Sequence, residues 1–300
     1  DEVYKRAYQS VNFLYQCQDD STGWLSNYGS NDGALFFKLN DCDYRDYRPQ
    51  LDALYYLLTS EHLYDRQYED REWYLCEWKA NRQMYPPIKK QFGCISFDKG
   101  GYYCIREKDT FSFIRCGRHK DRPAHADNLH WYQGENCLFD GGSYKYNTTE
   151  KLLRYFMGTE SHNTIMLEGH DQMLKGDRFI WYNWSQAEWS SLKETEDTYI
   201  FEGKVSCFTY LNKKIKHYRK IVKWKNTCKW EIEDCIDGNP KNMNMRQLWH
   251  TNKDNLSLES NGETIDTEQL CSNYYGQTTK CRQIEFQTKN SSIKTILQFI

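Results

Sequence analysis

The sequence predicts an α+β, multidomain chain, with a helical segment over residues 1–85 and a large antiparallel β-sandwich over residues 86–300. Three observations carry that reading. Near the N-terminus apolar residues recur at three- and four-residue steps, the spacing of one helix face. Tyr85-Pro86-Pro87 then interrupts helical structure, because proline has no amide hydrogen and crowds the turn before it. From about residue 90 the apolar period becomes two, in short runs bounded by turn residues, the pattern of antiparallel strands.

In order along the chain, Val3, Ala7, Val11 and Leu14 mark the apolar stripe of a helix over 1–18, which Asp19-Asp20-Ser21-Thr22-Gly23 ends. The stretch from Trp24 to Ala34 is rich in Asn and Gly and reads as a loop, either a turn cluster or the lining of a cleft. Pro49 opens a second helix near 50–60, with Leu51, Leu54, Tyr55 and Leu58 on its buried face. A third helix is expected over 67–79. Strands are expected at 91–97, 102–107 and 110–115, followed by a hairpin pairing 129–133 with 136–140. Further strands follow near 163–168, 178–189, 198–210, 215–225, 228–236, 246–251, 255–259, 281–288 and 293–300. No repeat or low-complexity tract interrupts them.

The 40 basic and 42 acidic residues leave a net charge of −2, which offers no general attraction to nucleic acid or to an anionic membrane. No apolar run is long enough for a membrane span, and no signal peptide is visible. The chain begins at Asp1 already inside a helical pattern, so an earlier N-terminal portion is expected. Twelve cysteines include no C-x-x-C pair, which argues against a cysteine zinc site and leaves disulfides and redox compartment open. The basic run Lys213–Lys225 alternates with apolar residues and reads as a solvated strand face, whereas Arg115–Arg122 lies beside histidines and suits an acidic ligand.

Chemistry concentrates in residues 115–172, which hold five of the eight histidines: His119, His125, His130, His162 and His170. His125, Asp140 and His162 are an imidazole, a carboxylate and a second imidazole, a donor set that suits a divalent metal, zinc above all. They are separated by 14 and 21 residues, so only the fold can bring them together; otherwise they are hydrogen-bonded structural polar residues. Gly141 and Gly142 after Asp140 permit a close backbone approach. His170-Asp171-Gln172 reads as a turn.

Three ordered motifs, Ala124-His125-Ala126-Asp127, Phe139-Asp140-Gly141-Gly142-Ser143-Tyr144 and Ser161-His162-Asn163-Thr164, resemble the sandwich domain of the heparinase II/III family of polysaccharide lyases. Asn27 to Ala34 with Asp46-Tyr47-Arg48-Pro49 resembles the end of that family's α/α toroid, and Gly100 to Arg106 its opening sandwich strands. The resemblance implies the C-terminal helices of an α/α toroid followed by the sandwich, and places the metal ligands at His125, Asp140 and His162. It implies β-elimination at a uronic acid, in which the sugar carboxylate is neutralised, a base takes the carbon-5 proton and an acid protonates the leaving oxygen. The toroid-side catalytic residues would lie upstream of this chain. Pro123 stands where several members carry a catalytic histidine, so His119 or Arg122 is the expected substitute, with Tyr144 and Tyr146 as sandwich-side tyrosines. Asn27, Tyr28, Asn31, Asp32 and Arg48 are the expected sugar-binding residues. The partner implied is an acidic polysaccharide, with no nucleic acid, and a homodimer is left open. The family implies a periplasmic or secreted location; the cysteine content and lack of a visible signal peptide leave a cytoplasmic one as the alternative. A uronyl 5-epimerase on the same scaffold and a non-catalytic glycan-binding or capsule-assembly protein are the alternative functions.

Overall fold

A computed structural model describes residues 2–27, 31–35, 37, 38, 40–66, 68, 85–134, 137–239 and 242–299. They form two compact units, one of residues 1–26 and 34–91, the other of residues 27–33 and 92–300.

In the first unit, helix α1 (Glu2–Gln16) packs on α2 (Arg48–Thr59) through Val11, Leu51, Tyr55 and Leu58. Ala7 and Leu14 join this core, but Val3 is 71% exposed, so the apolar stripe read from the sequence is one turn too long. Pro49 sits in the first turn of α2, where the missing amide hydrogen costs no helical bond. Ser60 ends the helix in the left-handed conformation, its amide donating to Tyr56 O at 2.8 Å. The helix expected at 67–79 lies, apart from Tyr68, outside the described residues.

The second unit is built of antiparallel sheets. Strands β1 (Gly93–Phe97), β2 (Tyr102–Arg106), β3 (Phe111–Arg115) and β4 (Trp131–Gln133) form a meander. Of the hairpin expected after β4, Glu135 and Asn136 lie outside the described residues, and Gln133 pairs with Leu138 in a single bridge. Helix α3 (Glu150–Met157) and the turn Thr159–Ser161 lead into β5 (Ile165–Leu167), then a small hairpin of β6 (Leu174–Lys175) and β7 (Trp181–Tyr182). Next come β8 (Gln186–Glu194), β9 (Thr198–Ser206), β10 (Lys216–Trp224) and β11 (Lys229–Asp237). The chain closes with β12 (Met245–Thr251), β13 (Leu256–Ser260), β14 (Glu263–Cys271), β15 (Thr279–Thr288) and β16 (Ser292–Phe299). One six-stranded sheet runs β13-β16-β11-β10-β9-β8, and a second four-stranded sheet runs β14-β15-β12-β5.

Inward-facing residues of all three large sheets share one core, with Trp131 of β4 lying 6.1 Å from Trp230 of β11 and 5.8 Å from Trp249 of β12. Buried rings of this size carry much of a sandwich's stability. Three elements escape a sequence reading, the two-residue strand β6 among them. Helix α3 is a short amphipathic turn capped by Thr149. Strand β14 is a polar edge, exposed along most of its length, so its residues do not alternate between apolar and polar. The basic run 213–225 also differs from expectation: Lys216 and Lys220 face outward, whereas His217, Arg219 and Lys223 are fully buried. Strand periodicity turns every second residue inward whatever its charge.

Candidate metal centre and adjoining cavity

The connection from β3 to β4 carries His125, Asp127 and His130, the segment after β4 carries Asp140, and the turn before β5 carries His162. These irregular segments are held by side chains that imitate backbone pairing. Asn128 accepts from Gly117 N at 3.1 Å and donates to Gly117 O at 2.9 Å, while Gln172 accepts from Asn128 N at 3.0 Å and donates to its carbonyl at 2.9 Å. Gln172 is therefore a buried brace rather than only part of a turn. The two glycines after Asp140 have steric reasons. A Cβ on Gly141 would stand 2.6 Å from Ser161 Cβ, and one on Gly142 (φ +81°) 2.0 Å from Ser272 O.

The fold gathers His125, Asp140 and His162, all fully buried or nearly so, with one ligand atom of each within 4.8 Å of the others. His162 Nδ1 lies 2.7 Å from Asp140 Oδ2, and Asp140 Oδ1 accepts from Gly142 N at 2.7 Å. Ser143 donates its one proton to Asn31 O at 2.8 Å, so towards His125 Nε2, 3.3 Å away, it can only accept. That places the His125 proton on Nε2 and leaves Nδ1 a bare lone pair; among the described residues Nδ1 has no hydrogen-bond partner, and neither does His162 Nε2. A buried nitrogen without a partner is costly, and a metal ion is one group that would satisfy it. The cluster could therefore hold a metal ion. His130 belongs to the same assembly, although motif spacing did not single it out. Its Nδ1 accepts from Asn163 N at 3.1 Å, which sets its proton on Nε2, 3.8 Å from Asp140 Oδ2.

The electrostatics divide the cluster: Asp140, His125 and His130 are held in the forms that bind metal, whereas the His162 cation is favoured, so an ion would have to displace its proton. Burial disfavours the Asp140 carboxylate, but the His162 ring and its hydrogen bond outweigh burial and hold the carboxyl well below its usual range. Burial likewise opposes the His162 cation, but the Asp140 charge and hydrogen bond, together with Asp127 and Asp171, outweigh it and raise the pKa. Burial, reinforced by His162, pulls His125 down to about 4, and burial pulls His130 down to about 4 against the Asp140 charge. Both rings are neutral near pH 7, the form that binds metal.

Beside His125 opens a cavity of about 320 Å³, lined by Asp32, Arg122, Ala124, His125, Ser143 and Tyr146 over an apolar floor that includes Met157 and Phe179. The Tyr146 hydroxyl donates to Asp32, and its ring meets Phe179 edge-on at 5.0 Å. Arg122 is exposed at the rim, its guanidinium 5.5 Å from the Phe179 ring. Phe179 was missed because a lone aromatic in a hairpin carries no motif.

The other expected site residues fall differently. His119 does not line this cavity; its Nδ1 lies 3.5 Å from Arg115 Nη2, and burial and the Arg115 charge lower its pKa to about 4. Tyr144 packs its ring on Phe156 at 5.4 Å, with a backbone φ of +58°. Asn27 is buried, Asn31 accepts from Gly33 N at 3.2 Å in a local turn, and Tyr28 lies outside the described residues. Residues 27–33 pack within the sandwich unit, where Gly33 O accepts from Tyr275 N at 3.0 Å. Arg48 belongs to the helical unit, where Nε donates to Asp46 Oδ1 at 2.8 Å and Nη2 to Thr22 O at 3.3 Å.

An antiparallel sandwich whose irregular connections converge two imidazoles and a carboxylate beside a polar-rimmed cavity defines the class. The profile of heparinase II/III-like proteins, C-terminal part, matches residues 90–295, and the chain belongs to that family. No curated protein sequence matches it. Among solved structures, a heparinase III gene product is similar over 96% of this chain and 45% of its own, at 14% identity and a TM-score of 0.65. A second structure, of a heparinase III, is similar over 99% of this chain and 48% of its own, at 13% identity and a TM-score of 0.61. The heparan sulfate lyase HepC from Pedobacter heparinus is similar over 71% and 37%, at 15% identity and a TM-score of 0.57. The chain thus spans less than half the length of these proteins, and the likeness is one of fold.

Proposed function

We propose that this chain is the sandwich part of a polysaccharide lyase that cleaves uronic-acid-containing acidic polysaccharide by β-elimination. The observation that carries the reading is the cavity, which sets a cation, a phenol and a carboxylate beside the metal-capable cluster. In the elimination a base removes the carbon-5 proton, the bond from carbon 4 to the glycosidic oxygen breaks, and an acid protonates that oxygen. Arg122 at the rim neutralises the sugar carboxylate, which makes the carbon-5 proton more acidic. Burial and the Asp32 carboxylate push the Tyr146 phenol up to about 12, so it keeps its proton near pH 7 and serves as the acid. The sandwich-side candidates for the base, His119 and Tyr144, both stand outside the cavity lining, so the base is assigned to neither of them. Asn31 and Asp32 help to shape the sugar site.

His125, Asp140 and His162 would hold the ion, and zinc suits their two nitrogens and one carboxylate. Its chemistry there is a fixed positive charge that crosslinks the loops beside the cavity. The location consistent with such a substrate is periplasmic or secreted. The test is to express the complete gene product and follow unsaturated uronide absorbance on heparan-, alginate- and capsule-type polymers. Absorbance on one of them, abolished by Tyr146→Phe, is the expected result. Solvent deuterium entering the sugar without cleavage would instead identify a 5-epimerase. Retained affinity with neither would identify a glycan-binding protein.

A further inference from the structure

The buried half of the basic run on β10 has no part in the chemistry above, and it reaches the metal-capable cluster from the opposite sheet. Arg219 of β10 and Asp234 of β11 are register partners, and both are fully buried. Arg219 Nε donates to Asp234 Oδ1 at 2.7 Å and Nη2 to Oδ2 at 2.8 Å. Two further donors complete the carboxylate, with His217 Nε2 at 2.7 Å from Oδ1 and Gln247 Nε2 at 2.7 Å from Oδ2. A buried ion pair is a poor route to stability, because desolvating two charges cancels most of their attraction. What distinguishes this pair is the remaining arm of the guanidinium. Nη1 donates to Leu129 O and to Asn163 O, each at 2.7 Å.

Those two carbonyls sit next to the cluster in sequence. Leu129 precedes His130 and holds a left-handed φ of +57°, uncommon for leucine, so its carbonyl direction needs an external partner. Asn163 follows His162, and every polar group it has is engaged. Its amide donates to His130 Nδ1 at 3.1 Å, and its carbonyl accepts from Arg219. Its Nδ2 donates to Trp131 O at 3.0 Å and Phe139 O at 3.1 Å, and its Oδ1 accepts from His250 N at 2.7 Å. One planar group thus spans the strand carboxylate and both histidine-bearing segments, while Asn163 ties them to the residue before Asp140.

We infer that Arg219, oriented by Asp234, is a positioning residue of the metal centre, fixing the Leu129–His130 segment that follows His125 against the segment that carries His162. This rests on the reading of His125, Asp140 and His162 as ligands. Lysine cannot replace it, because a single ammonium lacks the fork that reaches a carboxylate and two carbonyls together.

The experiment measures zinc affinity by competition with a chromophoric chelator on the full chain. It compares the parent with Arg219→Met/Asp234→Leu, which removes both charges, and with Arg219→Lys, which keeps the charge and loses the fork. A control, Lys223→Met/Glu107→Gln, removes the ion pair between buried Lys223 of β10 and partly buried Glu107 after β2, whose nitrogen and oxygen lie 2.7 Å apart. The expected result is about one zinc per parent chain and an affinity about 10–100-fold lower in both Arg219 variants, with the control unchanged. Cooperative unfolding and an unchanged far-ultraviolet spectrum verify that each variant is folded. If the double variant does not fold, Arg219→Lys decides on the same measurement. A folded Arg219 variant with parental affinity, or an equal loss in the control, overturns the inference and leaves the ligand assignment standing. A parent that binds no zinc overturns both.

Discussion

Asp140 and Asp234 are both buried carboxylates with a histidine nitrogen 2.7 Å away, yet they are satisfied in different ways. Around Asp234 the donors of Arg219, His217 and Gln247 fill both oxygens, and one nitrogen of the group, His217 Nδ1, is left without a partner. Around Asp140 three histidine nitrogens, on His125, His130 and His162, have none among the described residues. The difference teaches what each cluster is for. A network whose donors and acceptors close on themselves is a brace, whereas one that leaves several ring nitrogens unpartnered around a carboxylate could hold a metal ion.

The sharpest way to break the comparison is Arg219→Met, which strands a charged Asp234 in the core. Urea unfolding should show a loss of about 3–5 kcal/mol; a change below about 1 kcal/mol would mean that Asp234 is not held as the brace described. Zinc probes the other cluster. At about a thousandfold excess over its Kd the ion should stabilise the parent by about 4 kcal/mol. His125→Ala and His162→Ala should lose both that thermal shift and the metal found by elemental analysis. If they keep the ion, the contrast with Asp234 collapses.

Acid affects both clusters. His119, His125, His130, His217 and His250 have pKa values lowered from 6.5, largely by burial, the first three to about 4. Between 6.5 and about 4 the unfolded chain therefore binds protons that the folded one refuses. Stability falls as pH falls through that window, each ring contributing at most about 1.4 kcal/mol for every pH unit crossed. His162, raised by Asp140, works in the opposite sense: its contribution is complete below 6.5 and lost as pH rises through its folded value. Five against one, the urea midpoint of the metal-free protein should drop from pH 7 to pH 4.5, and a rise would refute this electrostatic account.

Gly142→Ala tests the Asp140 turn, where a Cβ has no room and φ is positive. The expected cost is about 1–3 kcal/mol, read by thermal unfolding. Tyr146→Phe should shift stability least, by no more than about 0.5 kcal/mol, because the ring is partly exposed. In a complete enzyme it should nonetheless slow cleavage by about 10²–10⁴.

Much of the fold was legible where pattern and periodicity agree. The period-two runs at 198–210, 215–225 and 228–236 became β9, β10 and β11 to within a few residues, because alternation and strand geometry share that period. Edge strand β14, polar on both sides, left no such trace. At the site, the three motifs located His125, Asp140 and His162, and Asp32, Arg122 and Tyr146 meet at one cavity. His130 and Arg219 could not be told from other polar residues, since nothing in a linear pattern states which carbonyl a side chain will reach.

The sequence by itself determined the order of helices and strands, the glycines that the Asp140 turn demands and the donor types available for an ion. All three are local properties, carried by neighbouring residues and their side-chain chemistry. Only the tertiary structure decided that β10 would send Arg219 inward to carbonyls 90 and 56 residues away, and that His119 would stand apart from the cavity. Such contacts depend on how sheets distant in sequence face one another, and burial then turns an ordinary arginine into a brace and holds His125 and His130 neutral.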